Sequence, residues 1–103
     1  MSPPRRGEIW TTRTRAAPQD VLVISSTVYN EIAAEPTVLV ALVVEQATDE
    51  GFCVDVGAGR WAVMGLVTFV PKAALDTCVR RVDTQTLTNA NTMLFKILAT
   101  PER

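Results

Sequence analysis

Arg6-Gly7-Glu8-Ile9-Trp10, then a basic and Thr-rich loop from Thr11 to Pro18, then Val21-Leu22-Val23-Ile24-Ser25: this opening stretch decides how the chain is read. Gly7 to Thr12 predicts a first strand. Val21 to Ser26 predicts a second, and its unbroken apolar run calls for burial on both faces. Ser26 to Ile32 predicts a short turn or helical piece before Pro36. Thr37 to Glu45 is the strongest strand signal, because Val38, Leu39, Val40, Leu42, Val43 and Val44 are too continuous for an exposed edge. That strand should be central.

Phe52 to Val56 alternates as a half-buried strand does, and Gly57-Ala58-Gly59 supplies a turn into Trp61-Ala62-Val63. Leu66 to Val70 predicts a further strand stopped by Pro71, Lys72 to Leu75 a single turn, and Thr77 to Val82 a last strand. At Asp83 the period changes. Leu87, Ala90, Leu94, Ile97 and Leu98 recur at helical spacing, with Asp83 as N-cap and Pro101 beyond the end. Short strands in a curled antiparallel sheet, closed by a terminal amphipathic helix, describe a small barrel-like α+β domain.

The 103 residues, 48% of them hydrophobic, suffice for one core, so residues 1–103 are expected to form a single domain. No apolar run approaches the roughly 18 to 20 residues of a membrane helix. Ile9-Trp10 passes at once into polar Thr11 to Thr14, so the apolar core of a secretory signal is missing and a cytoplasmic protein is expected. Cys53 and Cys78 stand far from any Cys-x-x-Cys pair, and the chain has no histidine. These facts argue against a zinc site and call for no metal or cofactor. In a reducing compartment the two cysteines are expected to be small apolar fillers in or beside strands. Without histidine, any acid-base chemistry must use other groups.

The net charge of −1 excludes a generic polyanion binder, yet the charges are unevenly spread. Arg5, Arg6, Arg13 and Arg15 crowd the first segment against Glu8 alone. From Ala16 to Gly59 there is no Lys or Arg, while Asp20, Glu31, Glu35, Glu45, Asp49, Glu50 and Asp55 accumulate. Arg60, Lys72, Arg80, Arg81 and Lys96 follow. Folding that brought the two basic groups to one face would create a surface for a phosphate chain, and solvated, scattered arginines are the alternative.

The Arg-Gly-Glu-Ile-Trp opening with its loop and apolar strand resembles the start of MazF/PemK-type toxins of type II toxin–antitoxin systems, within the CcdB/PemK superfamily. Val23-Ile24-Ser25 followed by Val28-Tyr29-Asn30 is similar to their second strand and following loop. Val40-Ala41-Leu42 falls where they carry a Val-Pro-Ile or Val-Ala-Leu strand, and Val70-Pro71-Lys72 with the terminal helix matches their closing layout. The resemblance implies an SH3-like barrel, a homodimer, and metal-independent cleavage of single-stranded RNA. It also implies a cognate antitoxin whose tail blocks the groove. In such cleavage the ribose 2′-OH attacks the adjacent phosphate, so a proton is removed, another supplied, and a crowded dianion stabilised. An arginine fork suits the last task.

The chain departs from that family where chemistry is expected. The usual toxin has an Arg-Pro pair leading into the second strand and a Thr or Ser closing the third; the matching positions here read Gln19-Asp20 and Val43-Val44. Glutamine cannot stabilise charge as arginine does, and valine has no polar atom. Arg13 and Arg15 are the displaced catalytic candidates, and Gln19, at the position matching the usual arginine, is the third. Thr12, Thr14, Ser25, Ser26 and Thr27 are candidate hydroxyls. Glu8, Trp10, Thr14, Ser25, Thr27 and Trp61 are candidates for touching RNA. Three of these have a plainer role open to them: Trp10 as core anchor, Glu8 as ion-pair partner of Arg5 or Arg6, Trp61 as hydrophobic plug of a hairpin. Tyr29 and Asn30 are expected to shape their loop, and Arg80 and Arg81 to point to opposite faces. Two other functions stay open: a catalytically silent relative that binds antitoxin or RNA, and a CcdB-like gyrase inhibitor.

Overall fold

The computed structural model describes residues 3–13, 18–46 and 52–99. Its strands are β1 (Glu8–Thr12), β2 (Asp20–Val23), β3 (Thr37–Val44), β4 (Cys53–Gly57), β5 (Arg60–Pro71) and β6 (Leu75–Arg81). Helix α1 (Thr27–Asn30) follows β2, and α2 (Thr84–Ala99) ends the described chain. All pairings are antiparallel, in the order β4-β5-β3-β2-β1-β6. The apolar run of β3 is thereby explained, since β2 flanks it on one side and β5 on the other.

Strand alternation divides the sheet's side chains between two cores. Ile9, Leu22, Ala41, Val43, Val54, Val56, Ala62 and Met64 face inward, joined by Val82 and by Ala90 of α2. Val21, Val23, Val38, Val40 and Leu75 form the second cluster on the other face, with Trp10 and Val70 packed against it. Burial on both faces of β2 follows directly from this arrangement.

Three elements differ from the sequence expectation. Strand β2 stops at Val23 instead of Ser26, because the amides of Ile24 and Ser25 both converge on the Leu39 carbonyl, at 2.9 and 3.2 Å, and the ladder cannot continue. The segments around Trp61 and Leu66–Val70 are one strand. Ala41 and Leu42 of β3 pair with Val67 and Val63, so Met64, Gly65 and Leu66 bulge out of that ladder. In α2, Asp83 caps the helix through Thr86 N–H at 2.7 Å, and Leu87, Met93 and Leu94 pack on the inward core. Ile97 and Leu98, expected on the same face, are exposed instead.

The sheet curls without closing by backbone hydrogen bonds. A side chain links its edge strands: the Arg80 guanidinium of β6 donates to the Val56 carbonyl and, at 2.9 Å, to the Gly57 carbonyl of β4. Gly57 has φ +87°, and a Cβ there would sit 3.4 Å from Arg80 Nη1. The seam of the barrel is a guanidinium clasp. Of the two cysteines, Cys53 is half-buried in β4, whereas Cys78 is exposed on edge strand β6 and fills no core.

Candidate functional site

The loop after β1 brings Arg13 and Gln19 together. Thr12 N–H and Oγ1–H both donate to the Gln19 carbonyl, at 2.8 and 3.1 Å, which pins the two ends of that loop. Arg13 N–H donates to the Ala74 carbonyl at 2.8 Å, so the residue is held where β1 meets the turn before β6. Arg13 and Gln19 flank a cavity of about 180 Å³ on the outer face, floored by Val21, Val40 and Leu42 and bordered by Thr68. The groove is mostly apolar, with Leu66, Val70, Pro71 and Ala74 completing its walls beside Arg13 and Gln19.

Arg13 Nε lies 3.0 Å from Asp76 Oδ1, with the two side chains 67% and 46% exposed. Exposed pairs of this kind hold together by only about 0–1 kcal/mol, so a phosphate can displace the carboxylate at little cost. Arg15 and Thr14, the neighbouring candidates, lie outside the described residues.

Gln19 and Val44 share the outer face, since Asp20 pairs with Val43 on the face opposite. Trp61 pairs with Val44 and extends the same row, half-buried. Valine at 43 is buried in the inward core, 5% exposed. No hydroxyl stands at either end-of-β3 position.

Glu8 and Trp10 lie farther along the same outer face. Trp10 packs against the second core and its Nε1–H donates to Glu8 Oε1 at 3.1 Å, so the indole serves as anchor and Glu8 as its acceptor. Glu8 also accepts the Arg5 N–H at 2.8 Å. Cys78 pairs with Trp10 across β6. Its thiol is pushed above its ordinary range, by burial first and then by the Glu8 carboxylate.

Ser25 and Thr27 are not gathered with these groups. They sit at the opposite end of β2 from Gln19, where Ser25 Oγ–H donates to Asn30 Oδ1 and accepts Leu39 N–H at 3.1 Å. Thr27 Oγ1 accepts Arg6 N–H at 3.3 Å, and Ser26 caps α1 through Tyr29 N–H at 3.1 Å. Asn30, fully buried, completes this cluster by donating to the carbonyls of Pro4 (2.9 Å) and Ser25 (3.1 Å). These hydroxyls hold the end of the sheet together.

On the inward side of the sheet, Arg60 reaches Asp20 at 3.1 Å and Glu45 at 3.6 Å, across 40 residues of sequence in the first case. Sequence reading did not single out this pair, and no local spacing signals it. Arg80 faces the same region while Arg81, one residue on, pairs with Glu8 and lies on the outer face. Among the described residues no group of His, Cys, Asp and Glu is arranged to hold a metal, and no helix is long and apolar enough to cross a membrane.

No protein-family model matches the sequence, and no curated protein matches it. Solved structures do. An endoribonuclease in complex with its cognate antitoxin, from a mycobacterial species, superposes with TM-score 0.82 over 100% of both chains at 18% identity. MazF in the MazE–MazF complex of Deinococcus radiodurans gives TM-score 0.82 at 14% identity, over 96% of this chain and 98% of that one. MazF of the same organism in its own crystal gives TM-score 0.76 at 16% identity, over 95% and 98%. At such identities the likeness is one of architecture, and it runs from end to end: the chain has the fold of the MazF endoribonuclease toxins.

Proposed function

We propose that the protein is the toxin of a type II toxin–antitoxin pair and cleaves single-stranded RNA without a metal, by attack of a ribose 2′-OH on the adjacent phosphate. The observation that carries this is the whole-length superposition on chains named as endoribonucleases, one of them seated with its antitoxin. The strand enters by the groove between Arg13 and Gln19, where the largely apolar lining suits bases and Arg13 suits a phosphate. Arg13 exchanges Asp76 for a phosphate, and Arg15 supplies the second guanidinium. Gln19 hydrogen-bonds the phosphate without compensating its charge. Thr14 is a further candidate contact, while Glu8, Trp10 and Trp61 line the outer face along which the strand runs; Ser25 and Thr27 contribute by shaping the end of the sheet.

The partners follow from the same reading: a cognate antitoxin, and a second copy of the chain in a homodimer acting in the cytoplasm. Exposed Leu66 and Phe69 on β5 and Phe95 and Leu98 on α2 provide apolar surface for such association. A binding-only relative is the second reading. Val43 and Val44 at the end of β3 favour it, since neither has an atom able to move a proton.

The test is incubation of purified protein with a long end-labelled RNA in chelator. Discrete fragments ending in phosphate, lost by roughly a hundredfold in Arg13→Ala or Arg15→Ala, are expected. Intact RNA together with tight capture of a neighbour-encoded acidic protein selects the binding-only relative. Growth arrest with trapped DNA breaks and intact RNA selects gyrase.

A further inference from the structure

The inward end of the barrel holds a second cavity of about 240 Å³, walled by apolar Ile9, Val43 and Ala58 and by polar Asp20, Arg60 and Arg80. Mouths of small barrels are common ligand sites. We propose that this cavity receives an unstacked guanine base of the RNA strand, with Asp20 and Arg60 reading its edge. The proposal rests on the reading that the chain binds single-stranded RNA, and it adds a determinant of base specificity on the face opposite the Arg13 groove.

Two arginines alone would describe a phosphate site. Asp20 argues otherwise: unlike the exposed Asp76 beside Arg13, its side chain is 23% exposed and also held by the Thr11 hydroxyl, so it stays 3.1 Å from Arg60 and repels a phosphate there. A carboxylate beside a guanidinium matches a surface that presents N–H donors next to an acceptor. Guanine presents N1–H and N2–H side by side, with O6 adjoining, and its O6 and N7 accept an arginine fork. Uracil places carbonyls on both sides of its single N–H, and adenine sets an acceptor beside its donor, so each turns a lone pair toward Asp20.

The groups are held ready. Asp20 Oδ1 accepts the Thr11 hydroxyl at 3.4 Å and Oδ2 the Arg60 Nη1–H, which leaves further lone pairs for a ligand. Glu45 steadies Arg60 from the other side at 3.6 Å. Arg80 is fixed by the carbonyls of Val56 and Gly57, giving a planar guanidinium on which a base can stack. Asp20 and Val43, both departures from the MazF pattern, are direct partners in the β2–β3 register and meet in this one cavity.

The experiment measures fluorescence anisotropy of labelled, uncleavable 2′-O-methyl oligonucleotides: all uridine, uridine with one central guanosine, and uridine with one central inosine. Guanosine is expected to tighten binding by about tenfold over the uridine strand, and inosine, lacking the 2-amino group, to lose most of that gain. In Asp20→Asn the guanosine-to-uridine ratio falls to near one; Arg60→Lys, which keeps charge but not the fork, reduces it. Melting curves establish that both variants fold, and the inosine comparison needs no variant. Equal binding of all three strands by the unsubstituted protein overturns the base site while RNA binding stands. So does a guanosine preference that survives Asp20→Asn, or a uniform weakening in both variants that marks a phosphate contact. Failure of every strand to bind overturns the RNA reading and this proposal with it.

Discussion

Replacing Asn30 by alanine removes the buried hub that ties the N-terminal segment to the end of the sheet. Asn30 is 0% exposed, donates to the Pro4 and Ser25 carbonyls, and accepts from the Ser25 hydroxyl. Truncation strands two carbonyls and a hydroxyl, each costing about 1–3 kcal/mol if it stays dry. Water entering the vacated volume recovers part of this, so a net loss of about 3 kcal/mol is expected. In a domain stable by about 5–15 kcal/mol that is a large fraction, and at about 4 °C per kcal/mol it lowers Tm by about 12 °C. Asn30→Asp is the sharper variant. It keeps the volume but turns acceptors toward two carbonyls, so at neutral pH it should lose at least as much as alanine. Urea and thermal unfolding followed by circular dichroism measure both. Variants within about 0.5 kcal/mol of the parent would refute the assignment of Asn30 as a structural hub.

Further expectations concern the seam, a thiol and a cap. Arg80→Met opens the clasp between β6 and β4 and should cost about 1–2 kcal/mol, with faster amide exchange confined to those edge strands; unchanged exchange there would show that the seam holds without it. Cys78 should alkylate slowly for an exposed thiol, since burial and Glu8 raise its pKa, and Glu8→Gln should speed labelling at fixed pH. The Asp83 carboxyl is held below the usual carboxylate range, by the Thr86 side chain first and the Thr86 amide second. A depressed folded pKa stabilises above the unfolded value and fades as pH falls through the folded one. The stability gap between parent and Asp83→Ala is therefore widest near neutrality and should close in acid; a gap constant with pH would contradict the cap.

The parts of the fold legible in sequence were those set by neighbours a few residues apart. The valine run of β3 announced an interior strand, and the change of period at Asp83 announced α2 with its cap. The Gly57-Ala58-Gly59 turn was equally plain, with Gly57, Ala58 and Gly59 all at positive φ. Where local pattern failed, a distant partner had intervened: Leu39 ended β2 early, and β3 carried β5 across its bulge as one strand. Arg13 and Gln19 stand close in sequence and line one groove, whereas Ser25 and Thr27 lie beyond the far end of β2, where the hydrogen bonds of Asn30, Leu39 and Arg6 engage them.

Periodicity and residue type, acting over a few positions at a time, were enough to dictate a curled antiparallel sheet with a terminal helix, and the opening motif was enough to suggest the MazF-type fold that the chain has. Which charges meet is a different matter, because it depends on register and curl. The pairing of Asp20 with Val43 brings Arg60 over the carboxylate, and the curl of the sheet carries Arg80 to β4. Those meetings join residues tens of positions apart, and only packing of the whole sheet brings them within hydrogen-bonding distance.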